Sequence, residues 1–149
     1  MVDVVDSGTR SRMMSGIRST NTKPELRLRR ALHAKGFRFK LHDRSLPGSP
    51  DIVLPRWRAV IEVRGCFWHR HERCRFTTMP ETRPEFWAAK FGSNVERDQR
   101  NEKLLREAGW RVAIVWECAL RAKNIDELIS EMVAWLKSDF QAIEFPTPG

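Results

Sequence analysis

The tightest constraint on how this chain folds lies between Gly36 and Gly65, where three short apolar runs are cut apart by proline-containing turns. The runs fall at residues 37–41, 51–54 and 59–63 and read as strands. Leu46-Pro47-Gly48-Ser49-Pro50 makes the first turn and Pro55-Arg56-Trp57-Arg58 the second. A fourth strand is expected at 110–117, with Val112, Ile114 and Val115 as its apolar heart. Helical signals bracket these strands. A first short helix is expected at 10–19. Thr22-Lys23-Pro24-Glu25 then reads as a helix start, with Thr22 as N-cap, proline in the first turn and Glu25 at the capping-box position. That helix runs through Leu26, Leu28, Leu32 and Ala34 until Gly36 stops it. A second long helical region covers 84–108, with room for a break near Gly92, and Gly109 closes it. The last, at 125–138, carries Leu128, Ile129, Met132, Val133 and Leu136 at helical spacing. Residues 65–80 are irregular. The order α-βββ-α-β-α describes a small mixed sheet flanked by helices, an α/β fold. We expect one domain over residues 1–149, with a loose tail at 1–8 and a frayed end at 144–149.

A chain of 149 residues is long enough to bury a core without covalent staples. Its apolar stretches are short and bounded by charge, which excludes a membrane span and a membrane partner. Residues 1–6 carry acidic groups and no basic segment, arguing against a secretory signal and for a cytoplasmic, nucleoid-associated location. The net charge of +8 points to a polyanionic partner, because each phosphate neutralised releases condensed counterions. The cysteines, Cys66, Cys74 and Cys118, are odd in number, which favours thiols or metal ligation over a disulfide framework.

Asp51 follows a turn at the mouth of a strand, and the next strand carries Glu62-Val63-Arg64. Adjacent strands joined by a short turn bring Asp51 and Glu62 to one end of a sheet. Their oxygens would there share a hard cation such as Mg²⁺, which can polarise a phosphodiester and orient an attacking water. Arg64 would steady the extra negative charge of the transition state. The pattern resembles the Pro-Asp…(Asp/Glu)-x-Lys nuclease superfamily, whose core is the same α-βββ-αβ arrangement, and so implies a restriction-endonuclease-like sheet. Glu25 reads either as a third carboxylate or as a helix-capping residue, and the two roles are compatible.

Residues 65–74, Gly-Cys-Phe-Trp-His-Arg-His-Glu-Arg-Cys, form the most informative stretch. Cys66, His71, Cys74 and the distant Cys118 make a donor set suited to a closed tetrahedral zinc site that would tie the loop to the end of the fourth strand. The alternative is a group of unconnected thiols in a reducing compartment.

Gly65-Cys66-Phe67-Trp68-His69, Thr82-Arg83-Pro84-Glu85-Phe86-Trp87, Asn94-Val95-Glu96-Arg97-Asp98, Gly109-Trp110-Arg111-Val112 and Val115-Trp116-Glu117-Cys118-Ala119-Leu120 occur in that order, behind Thr9-Arg10-Ser11-Arg12-Met13-Met14. Together they resemble the very short patch repair (Vsr) mismatch endonucleases over about residues 3–122. The resemblance implies a DNA repair enzyme that binds duplex DNA and nicks it on the 5′ side of the thymine in a T·G mispair, the lesion left by deamination of 5-methylcytosine. It implies Asp51 as the principal Mg²⁺ ligand, with the main-chain carbonyl of Val63 as a second. It implies His69 as general base or acid, oriented by Asp98, and Glu25 as an active-site acid. It places structural Zn²⁺ on Cys66, His71, Cys74 and Cys118. Phe67, Trp68 and Trp87 match residues that wedge into the base stack beside the mispair, and Met14 and Ile17 match residues entering from the opposite groove. Unstacking a step costs a few kcal/mol, and a weakened mispair lowers that cost, so intercalation itself discriminates. Mismatch-repair proteins are implied as further contacts.

Three positions depart from the family pattern. Arg64 stands where a histidine is frequent, and an arginine cannot act as a base at neutral pH. Glu62 stands where an apolar residue is common. Cys74 lies three residues after His71, one further than expected, so the loop must bulge or the zinc geometry differ. The expected enzyme acts as a monomer, one site cutting one strand. A restriction-type nuclease cutting both strands as a dimer and a non-catalytic mismatch-binding module are the alternatives.

Overall fold

The computed structural model describes residues 22–122 and 124–148; the helix expected at 10–19, with Met14 and Ile17, lies outside the described residues. Helix α1 (Lys23–Ala34) opens on Thr22, whose backbone is extended and whose hydroxyl accepts the Glu25 N–H at 3.4 Å. It closes with Gly36 in the left-handed region (φ 91°). There the Gly36 N–H bonds to the His33 carbonyl and the Phe37 N–H to that of Leu32, the paired pattern of a Schellman motif. The same device ends α2 (Pro84–Glu107): Gly109 (φ 90°) bonds to Arg106 and Trp110 to Leu105. Helix α2 runs unbroken through Gly92, where the sequence left room for a break. One exposed glycine costs about 1 kcal/mol against alanine, too little to interrupt a ladder of 24 residues.

Among the described residues the sheet has five strands in the order β1 (Lys40–Leu41), β2 (Ile52–Leu54), β3 (Ala59–Arg64), β4 (Arg111–Trp116) and β5 (Ala142–Phe145). The first three are antiparallel neighbours, whereas β3–β4 and β4–β5 are parallel. Side chains alternate across the sheet. Ile52, Leu54, Ala59, Ile61, Ala113 and Val115 face one core with Leu28 and Leu32 of α1 and with α4 (Ile125–Leu136), which contributes Leu128, Ile129, Met132, Trp135 and Leu136. Val53, Val60, Val112, Ile114 and Trp116 face a second core with Leu105 of α2 and Cys66. The central strands are covered on both faces, which is why they read as continuous apolar runs.

Three expectations about the elements change. The strand at 37–41 contracts to β1, because Phe37 closes α1 and packs its ring 5.5 Å from that of Trp57. Glu117, expected as the last residue of the fourth strand, instead starts a short helix, α3 (Glu117–Ala122). The end expected to fray from residue 144 supplies half of β5, with Phe145 only 2% exposed. Arg111 holds this last segment in place. Its guanidinium donates to the carbonyls of Trp57, Trp135, Leu136, Ser138 and Phe140 and lies 4.5 Å from the Trp135 ring. Carbonyls left open at the end of α4 thus receive a cation where the helix dipole favours one. Among the described residues no helix is long and apolar enough to cross a membrane.

Candidate active site and thiol cluster

The β2–β3 register pairs Ile52 with Ile61, so Asp51 comes to lie opposite Glu62 at the end of the sheet. Asp51 Oδ2 accepts the Val63 N–H at 2.7 Å, which fixes the carboxylate beside that residue's main chain. A cleft of about 540 Å³ opens there, lined by Glu25, Asp51, Glu62, Val63, Arg64, Trp68, His69 and Asp98 among others.

Asp51 converges with Glu25 and His42, whose ligand atoms all lie within 4.8 Å of one another. Glu25, 2% exposed, accepts from Arg29 Nη1 at 2.8 Å and meets His42 Nε2 at 2.9 Å. The same nitrogen is 3.8 Å from Asp51 Oδ1. The capping position of Glu25 therefore serves through its N–H, while its carboxylate faces the cluster. Burial pushes the Asp51 carboxyl up to about 7; the Val63 N–H pulls it down, and like charge on Glu25 and Glu62 adds to the rise. Sequence reasoning passes over His42. The signal for it is a pairing: the His42 N–H bonds to the Asp51 carbonyl, continuing the β1–β2 ladder by one residue.

Glu62 lines the cleft but is not among the groups that gather with Asp51. Its Oε2 accepts from Arg64 Nη2 at 2.7 Å, and that nitrogen also lies 3.7 Å from Glu102, which pairs with Arg106. Glu62 and Arg64 thus belong to a charge chain from β3 to α2. Burial raises the Glu62 carboxyl and Arg64 opposes the rise. Arg64 itself is buried.

His69 and Asp98 meet. His69 Nδ1 lies 2.6 Å from Asp98 Oδ2, and Nε2 has no partner among the described residues. The residue before it is held from the same helix, since Asn94 Nδ2 donates to the Trp68 carbonyl at 3.0 Å. Asn94 and Asp98 stand one turn apart on α2 and so grip consecutive loop residues. A ring whose one nitrogen is fixed by a carboxylate is arranged to move a proton at the other.

The aromatic residues form one group beside this loop. The Phe67 ring lies 5.0 Å from Trp68, 6.1 Å from Trp87 and 5.1 Å from Phe91, and Trp68 lies 6.0 Å from Trp87. Trp87 stacks on Phe91, one turn on. Phe91, which sequence reasoning also passes over, is buried and anchors the group, while Phe67, Trp68 and Trp87 remain half-buried.

Cys66, His71, Cys74 and Cys118 converge, again within 4.8 Å. The parallel register explains the reach across the sequence: Arg64 pairs with Trp116, and each strand places a cysteine two residues later. His71 stacks on Trp116 at 4.2 Å, with Nδ1 3.4 Å from Cys118 Sγ. Between His71 and Cys74 the chain passes through Arg73 in the left-handed region (φ 54°), and the Thr77 hydroxyl donates to the His71 carbonyl. Burial pushes the Cys66 thiol up to about 12 and lowers the His71 imidazole. Three sulfurs and a ring nitrogen held this close suit a tetrahedral cation.

A mixed sheet with carboxylates and a histidine–carboxylate pair gathered at one end is consistent with a nuclease fold. The family model described as DNA mismatch endonuclease Vsr matches residues 2–75. The chain is 45% identical to the DNA mismatch endonuclease Vsr of Escherichia coli, over all of this chain and 97% of that protein. It is 48% identical to the Type II nicking enzyme V.XorIIP of Xanthomonas oryzae pv. oryzae, over 80% of this chain and 88% of the relative. With V.NmeAIP of Neisseria meningitidis, also a Type II nicking enzyme, identity is 38% over 92% and 98%. The chain belongs to the Vsr DNA mismatch endonuclease family.

Proposed function

We propose that this protein nicks one strand of duplex DNA on the 5′ side of the thymine in a T·G mispair and so begins very short patch repair. The observation that carries the reading is that Asp51 and the His69–Asp98 pair line the same cleft of about 540 Å³, next to the Phe67–Trp68–Trp87 group. Several relatives are named nicking enzymes, which favours a single-strand cut. The fold is read as restriction-endonuclease-like and the chain as one domain acting as a monomer in the cytoplasm.

The donors at Asp51 suit a divalent cation. Bound Mg²⁺ would supply Lewis-acid polarisation of the phosphodiester and a more acidic water; Asp51 and the Val63 carbonyl would hold it, with Glu25 beside them. His69, its Nδ1–H fixed by Asp98, presents Nε2 to the scissile phosphate and takes or returns the proton there. Arg64, whose guanidinium does not serve as a base, pairs with Glu62 and approaches Glu102 at the edge of the cleft. Phe67, Trp68 and Trp87 enter the stack beside the mispair, with Met14 and Ile17 from the opposite groove. Zn²⁺ would be held by Cys66, His71, Cys74 and Cys118 and would brace residues 65–80 without entering the reaction.

End-labelled duplexes carrying T·G or C·G at one position, with Mg²⁺ or a chelator, test the reading. A single nick on the T strand, lost in Asp51→Ala, is expected. Asp98→Asn should slow that nick by about 10²–10⁴-fold while leaving DNA affinity unchanged. Double-strand cuts in paired DNA would instead favour the restriction-type enzyme, and binding without cutting the mismatch-binding module.

A further inference from the structure

We propose that His42 is a direct ligand of the divalent cation at Asp51 and Glu25, making the centre a mixed nitrogen–oxygen site that favours Mn²⁺ over Mg²⁺. The inference rests on the metal-dependent reading of that cleft and adds to it a donor that lies outside the Asp51 and Val63 pair. His42 Nε2 stands 2.9 Å from Glu25 Oε2 and 3.8 Å from Asp51 Oδ1, with all three ligand atoms inside 4.8 Å. Donors about 2.1 Å from a six-coordinate ion lie about 3.0 Å apart when adjacent and about 4.2 Å apart when opposite. The His42–Glu25 and His42–Asp51 spacings of 2.9 and 3.8 Å are close to those values, and the third is no more than 4.8 Å, so a small adjustment lets one ion meet all three. The residue's main chain is fixed beside Asp51, because the His42 backbone N–H donates to the Asp51 carbonyl at 3.1 Å and extends the β1–β2 ladder. The histidine and the aspartate thus stand on paired backbones at the strand ends, whereas Glu25 approaches from α1 and closes the third side.

The chemistry of the donor set follows. Mg²⁺ is met mainly by oxygen and keeps its waters, while imidazole suits first-row transition ions. Replacing one water or oxygen by a ring nitrogen should therefore strengthen Mn²⁺ binding and leave Mg²⁺ almost unaffected. The competing account is that His42 only hydrogen-bonds Glu25 and positions it, in which case glutamine would serve as well.

The test uses full-length zinc-loaded protein, so that added Mn²⁺ does not occupy the thiol cluster. Calorimetric titration with Mn²⁺ and Mg²⁺ is compared for wild type and His42→Gln. Pulsed electron paramagnetic resonance on the Mn²⁺-loaded wild type reads the ligands directly. We expect a nitrogen coupling that changes when histidine is labelled with ¹⁵N, and a loss of Mn²⁺ affinity in His42→Gln of about tenfold or more, with Mg²⁺ affinity within about twofold. Absence of that coupling in the wild type overturns the assignment even if the variant fails to fold, and loss of the coupling in His42→Gln but not in His69→Gln assigns it to His42. Mn²⁺ binding that Asp51→Ala abolishes but that shows no histidine nitrogen overturns the ligand assignment and leaves the proposed function standing. Absence of any Mn²⁺ or Mg²⁺ binding at Asp51 overturns both.

Discussion

Asp51 is squeezed between burial and its neighbours, and the consequence is measurable without DNA. Its carboxyl sits at about 7 in the fold against an ordinary value of 3.8. Between those limits the folded chain holds a proton that the unfolded chain has released, so stability falls as pH rises. The contribution is fully present below the ordinary value and is lost as pH climbs through about 7. Urea titrations of metal-free protein from pH 4 to 8 should show this decline, and Asp51→Asn should remove its share. Mg²⁺ added at pH 8 should restore stability to the wild type only. Equal slopes in both proteins would contradict the assignment. Asp51 was readable from its place after Pro50, and Glu25 from its helix-start position. His42 was not, because nothing local marks a histidine whose importance comes from lying across a ladder from Asp51.

Arg111 decides the arrangement of the last third of the chain. Five carbonyls drawn from the turn at Trp57, the end of α4 and the approach to β5 share one guanidinium. Lysine brings a single ammonium with three donors and no planar fork. Arg111→Lys should therefore destabilise the protein by about 2–4 kcal/mol. Chemical denaturation measures the loss, and faster amide exchange at residues 140–145 should locate it; a change within about 0.5 kcal/mol would show the carbonyls are satisfied without the fork. The same contact explains the main error in reading the sequence. Glu144 through Pro148 has the composition of a loose end, and only pairing with β4, to which Arg111 guides the chain from some thirty positions earlier, makes a strand of residues 142–145. Helices α1, α2 and α4 were legible because caps and glycines punctuate them locally. Helix α3 was not, since Trp116 and Glu117 continue the preceding strand without a break signal.

The thiol cluster joins the loop after β3 to the helix after β4 and reinforces the Arg121–Phe76 and His71–Trp116 contacts between them. Stripping the proposed Zn²⁺ with a strong chelator should lower the melting temperature and raise amide exchange across residues 65–80. Cys118→Ser should do the same without chelator. Unchanged melting after complete removal would refute the ligand set. The cysteines could be read as a group from the sequence, but why they meet could not: that depends on the in-step parallel pairing of β3 with β4, which no spacing reveals. Charge, apolar runs and glycine stops gave the general architecture, whereas the meeting of His69 with Asp98 depends on the path of a 24-residue helix.

That pairing also sets an order of events. Cys66, His71 and Cys74 lie within nine consecutive residues and are available as soon as that stretch leaves the ribosome, while Cys118 must wait for β4 to dock. An ion captured early would be held by three groups on a slack tether, exchangeable with the surroundings. Its release slows only when the distant sulfur arrives, so permanent capture would report that β4 has docked in parallel beside β3.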